Sequence, residues 1–162
     1  MESRFSIASS PIISRSKLKV DFYHLVASPV DRVLPQICER LLLSGEHLLV
    51  VCEPSQIAEL DTLLWSYRRD SFLPHGIAAA PRANEQPILL SDSVDAVNGA
   101  SNVALVDGRW RDEALGFARA FYFFATEAVD EARAAWRAVK ARADVEPRYW
   151  RQSESGKWEQ AA

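Results

Sequence analysis

The segment from His47 to Cys52, HLLVVC, constrains this chain more than any other, because five consecutive apolar residues follow the histidine with no polar alternation. A strand with one face in water alternates apolar and polar side chains, so an unbroken run of strand length belongs in the middle of a sheet covered on both faces. The flanking segments have the character of those covers. From Ser28-Pro29, read as an N-cap followed by proline at the first helical position, to about Ser44, the residues Val30, Val33, Leu34, Ile37, Cys38, Leu41 and Leu42 recur at helical spacing. Gly45 stands where a helix C-terminus favours glycine. Glu53-Pro54-Ser55 opens a second helix to about Trp65, with Ile57, Leu60, Leu63 and Leu64 facing inward.

Further strands are expected at 17–25 (KLKVDFYHL), 76–79, 87–90 (PILL) and 102–106 (NVALV), the last stopped by Asp107-Gly108. Helices are expected at 112–124 and 128–142, and the aromatic stretch from Pro147 to Ala162 as an ordered tail. Strands alternating with helices define a three-layer α/β domain with a mainly parallel sheet. A length of 162 residues suits one domain, placed at 18–162. Residues 1–17, rich in Ser and Arg with Glu2 as their sole acid, read as a disordered tail. They lack the apolar core of a signal peptide, and no apolar run approaches the length of a membrane span.

A net charge of −3 gives no global field that would draw the chain to nucleic acid. Any contact with DNA is therefore expected to be indirect. The six glycines form neither G-x-x-x-x-G-K-S/T nor G-x-G-x-x-G, so the nucleotide-binding-like architecture comes without a phosphate loop and no cofactor is expected. Three separated histidines and two cysteines lacking C-x-x-C spacing give no metal-ligand pattern, and the cysteines read as buried reduced thiols of a cytoplasmic protein.

Two constellations remain. In the first, Trp65, Tyr67 and Phe72 surround Arg68, Arg69 and Asp70, and the segment closes on Pro74 and His75. Large rings among charges are typical of interaction hot spots, but a hydrolase is also open in which His75 or His24 serves Cys52, at the end of a strand where α/β enzymes place their chemistry. Glu53 beside Cys52 argues against a reactive thiolate. In the second, Arg133, Arg137 and Lys140 form a stripe on the last helix beside Trp136. This is either a solvated face or a receptor for an acidic peptide, with Trp136 flooring a pocket between guanidiniums that bind carboxylates bidentately.

The segments VDFYHL at 20–25, LDTLLW at 60–65, SFLPHG at 71–76, PILL at 87–90, ALVDG at 104–108 and the terminal YWRQ…GKW, in this order, resemble the chi subunit of bacterial DNA polymerase III, over about 20–159. The resemblance implies a non-catalytic clamp-loader accessory subunit of replication. It implies that Trp65, Phe72, Pro74 and His75 meet the psi subunit or an equivalent clamp-loader or helicase partner. It also implies that Arg133, Trp136 and Arg137, with Lys140 beside them, receive the acidic, phenylalanine-ended tail of the single-stranded-DNA-binding protein. The chain departs from the family pattern at Val129, where some relatives carry a basic residue, and at Trp136, where the ring is usually tyrosine.

Overall fold

The computed structural model describes residues 17–27 and 29–162. The expectations for residues 1–16 and for Ser28 as an N-cap lie outside the described residues. The run HLLVVC forms strand β2 (Leu48–Val51), with every residue buried. Its side chains divide between two cores. Leu49 and Val51 pack on one face, while Leu48 and Val50 pack on the other. Burying one such side chain contributes about 1.5–3 kcal/mol, so a strand committed on both faces fixes the layers around it.

The remaining strands are β1 (Leu18–His24), β3 (His75–Ile77), β4 (Ile88–Ser91), β5 (Asn102–Leu105), β6 (Arg119–Phe124), β7 (Val145–Gln152) and β8 (Trp158–Gln160). Among the described residues they form one sheet in the order β3-β4-β2-β5-β6-β1-β7-β8, parallel except for the antiparallel β7–β8 pair. Helices α1 (Val30–Leu43) and α2 (Pro54–Ser66) bury residues against one face. Helix α3 (Val129–Lys140) buries Ala132, Ala135 and Val139 against the other. The three-layer, mainly parallel α/β architecture is the one expected.

Several boundaries are corrected. Pro29 is the N-cap of α1 rather than its first helical residue. At the other end of α1, the Gly45 N–H donates to the Leu42 carbonyl and the Glu46 N–H to the Leu41 carbonyl, with Gly45 at φ +72°, a Schellman closure that favours glycine. The helix expected over 112–124 is a short 3-10 turn (Asp112–Gly116) followed by β6. RAFYFF is a buried aromatic run of strand length, and Gly116 interrupts helix propagation ahead of it. The expected C-terminal tail is a hairpin of β7 and β8 that extends the sheet.

Asp21 pins these outer strands together. Its carboxylate, with no exposed surface, accepts hydrogen bonds from Arg119 of β6 at 3.1 and 3.2 Å and from Arg148 of β7 at 2.8 and 3.2 Å. It also accepts from the Trp150 indole N–H at 3.0 Å. One buried carboxylate thereby links three neighbouring strands by side chains as well as by the backbone ladder.

Candidate protein-docking surfaces

The first surface lies where α2 ends and the chain loops into β3. Leu73 is buried and anchors the loop, leaving Trp65 and Phe72 at 58% and 69% exposure. Their ring centroids are 6.0 Å apart, and Trp65 also lies 4.8 Å from the His75 ring. The loop is held from a second side by Glu39 of α1, which accepts from Arg68 at 2.8 Å and from the Ser71 hydroxyl at 3.0 Å. Pro74 is half-buried between the two anchors. All four expected residues, Trp65, Phe72, Pro74 and His75, come together, with two rings presented outward on a fixed base. Such pre-organisation lowers the ordering cost of association.

His75 is a support of this surface. Its Nδ1 lies 2.6 Å from the Leu73 carbonyl oxygen and its Nε2 2.9 Å from an Asp61 carboxylate oxygen. Both ring nitrogens therefore face oxygens and neither is free to serve a nucleophile. The hydrolase pair also fails on placement. His75 pairs with Ile88 and Ile88 with Leu48, so His75 is level with the start of β2, while Cys52 follows its end. Four residues of strand rise and two strand spacings separate them, about 13 Å along the sheet and about 10 Å across it. His24 is also out of reach, since three strand spacings, about 14 Å, lie between β1 and β2. Cys52 is buried, its thiol 3.8 Å from the Ser91 carbonyl oxygen, and burial with the nearby Asp107 carboxylate pushes its pKa up to about 11. Burial pushes Cys38 further, to about 12.

The second surface is built on α3. Asp130 and Glu131 occupy its first turn and Arg137 and Lys140 its last, each sign suited to the helix dipole. Trp136 is half-buried, meeting Phe22 edge-to-face at 5.2 Å and Tyr149 at 5.6 Å. The Lys140 ammonium lies 5.7 Å from its ring centroid. Arg133 and Arg137 are exposed; Arg133 reaches Asp130 only at 3.9 Å, and Arg137 has no carboxylate partner among the described residues. Trp136 thus lies half-buried on the helix that carries these cations, with Lys140 at its ring. The helix stops at Lys140 instead of Arg142, because Ala141 caps it and an Arg142–Asp144 ion pair turns the chain into β7. Ala143 is consequently exposed, and Ala135 takes its expected place in the core.

Two residues of this patch escape a reading of the helix alone. Tyr149 of β7 packs on Trp136; burial raises its hydroxyl pKa while Arg133 and Arg151 oppose the rise. His24, at the end of β1, stacks on Phe124 at 5.0 Å and lies 3.3 Å from the Thr126 hydroxyl. Burial, and then the charges of Arg151 and Arg133, hold its imidazole pKa below the ordinary value. Reading VEPRYWRQ as a strand of period two would have placed Tyr149 on the α3 face.

A cleft of about 780 Å3 opens beyond the ends of β1, β5 and β6, where α/β folds commonly bind ligands. Asp107, Thr126, Glu127 and Glu131 line it. Burial alone would raise the Asp107 pKa, but hydrogen bonds from Arg111 at 2.7 and 2.9 Å hold it below the usual carboxylate range. Among the described residues Arg109 is the one basic residue that lines it, against three carboxylates, a lining that does not favour phosphate. Nearby, α2 begins on Glu53, whose N–H donates to the Gln56 side chain at 3.0 Å, so its start presents a further carboxylate and no glycine cradle.

Residues 18–145 match the family described as DNA polymerase III chi subunit, HolC. A protein of Rickettsia prowazekii (strain Madrid E), named probable DNA polymerase III subunit chi, is 26% identical over 85 residues. That match covers 52% of this chain and 52% of the relative, so it spans about half the length of each. The family match takes in β1 through the start of β7, and with it both candidate surfaces except the outer residues of β7; the chain belongs to the DNA polymerase III chi subunit family.

Proposed function

We propose that this chain is a non-catalytic adaptor of the DNA polymerase III holoenzyme, acting in the cytoplasm. It joins the clamp loader, through psi or an equivalent partner, to the acidic tail of the single-stranded-DNA-binding protein. The observation that carries this reading is the separation of two exposed ring-and-charge surfaces. Trp65 and Phe72 lie by the β3 edge on the α1/α2 side, and Trp136 with its cations lies on α3 against the opposite face. Two partners can then be held at once, and linking two modest contacts gives avidity on a coated strand without direct affinity for DNA.

On this reading Arg133, Arg137 and Lys140 engage tail carboxylates and Trp136 meets the terminal phenylalanine. Trp65 and Phe72, held by His75 and Pro74, insert into the clamp-loader partner. Arg133→Ala is expected to weaken binding of an acidic, phenylalanine-ended peptide by about 1–3 kcal/mol, the loss of a charge-assisted hydrogen bond. Fluorescence titration measures it, and unchanged affinity rules out this pocket.

A further inference from the structure

We propose that Arg151 of β7 is a second cationic arm of the acidic-peptide site, sharing with Arg133 the binding of carboxylates over Tyr149 and His24. This inference rests on the acidic-tail reading of the α3 surface and extends it to a strand.

The argument begins with register. β7 runs parallel to β1, with Tyr149 opposite Phe22 and Arg151 opposite His24. Val145 and Tyr149 pack in the core beneath α3. Side chains two apart on a strand share a face, so Arg151 emerges on the α3 side next to Tyr149. Trp150 and Arg148 point the other way, to Asp21.

The neighbouring arginines are spoken for and Arg151 is not. Arg142 is paired with Asp144 at 2.9 Å, and Arg148 with Asp21 at 2.8 Å. Arg151 is exposed and has no carboxylate partner among the described residues. Arg133, from α3, has only the 3.9 Å contact with the exposed Asp130. Both arginines act electrostatically on the same two groups, His24 and Tyr149. Arg151 thus stands beside Tyr149, the half-buried ring on which Trp136 of the Arg133 helix packs. An anion placed over that ring gains charge-assisted hydrogen bonds from guanidiniums of two elements. The occupant is a short acidic peptide rather than nucleic acid, because the uncompensated cations are few and Asp130 stands beside Arg133, a patch sized for one or two carboxylates and not for a run of phosphates.

The test is fluorescence anisotropy of a labelled acidic peptide ending in phenylalanine, titrated with the full chain and with Arg151→Ala, Arg133→Ala, the double variant and Arg32→Ala. Arg32 lies on α1, across the sheet, and matches the change in charge. The expected result is a loss of about tenfold for Arg151→Ala, with Arg32→Ala binding as wild type. The double variant should lose less than the product of the single losses, as groups sharing one ligand are coupled. Wild-type affinity in Arg151→Ala, alongside a weakened Arg133→Ala, overturns the role of Arg151 and leaves the tail site standing. A wild-type chain that fails to bind the peptide overturns both readings. A labelled single-stranded oligonucleotide is titrated in parallel, and a loss by Arg151→Ala confined to the oligonucleotide makes Arg151 a nucleic-acid contact and also overturns the proposal.

Discussion

At His24 protonation and binding of an acidic ligand are coupled through the same two arginines. Burial, followed by Arg151 and Arg133, holds its pKa below the ordinary 6.5, so the folded chain keeps the imidazole neutral. An unfolded chain takes up that proton first as pH falls. The stability tied to neutral His24 is therefore complete above about 6.5 and is lost as pH drops through the folded value. A carboxylate bound between Arg133 and Arg151 removes part of the opposition, so the His24 pKa should move up on addition of acidic peptide. Affinity should accordingly rise on mild acidification. An NMR titration of the imidazole with and without peptide reads this directly; an unmoved pKa contradicts placement of the anion beside His24. Cys52 gives the second expectation at this scale. With its pKa near 11 and its side chain buried, the thiol should react with a disulfide reagent only as fast as the protein opens. Rapid labelling of native protein would restore Cys52 as a candidate nucleophile.

Among the elements, β6 and β7 carry the largest burden, and they are the least legible in the sequence. HLLVVC announces a central strand because its residues are aliphatic and uninterrupted. RAFYFF is equally buried, but it follows an acidic turn, DEALG, whose composition suits the start of a helix. VEPRYWRQ alternates two functions, a ring and a cation on each face, so no hydrophobic period marks it as a strand. The exposed ring pair at 65–72 is legible, since large rings set among charges follow neither a helical nor a strand period into a core and so belong at a surface. The contribution of β7 to the α3 surface is not, because it depends on β1 and β7 pairing from opposite ends of the chain. Asp21 supplies the measurable cost of that pairing. Asp21→Ala leaves two arginines and an indole N–H at the β1/β6/β7 junction without their acceptor, and should destabilise the fold by about 3–5 kcal/mol in chemical denaturation. A change below about 1 kcal/mol would show that the backbone ladder alone holds these strands.

Over the whole molecule, the sheet acts as a spacer. It holds Trp65 and Phe72 on one side and the Arg133–Trp136 surface on the other, with two continuous cores between them. Nothing in this arrangement requires one site to change shape for the other to bind, so substitutions at the two surfaces should act independently. Capture of native complexes by wild-type chain, Phe72→Ala and Arg133→Ala, with bound proteins identified by mass spectrometry, tests this most directly. Phe72 is largely exposed, so its removal should leave the fold intact. Phe72→Ala is predicted to lose clamp-loader proteins and keep the single-stranded-DNA-binding protein, and Arg133→Ala to do the reverse. Loss of both partners together, or of neither, would contradict an adaptor with two separate surfaces.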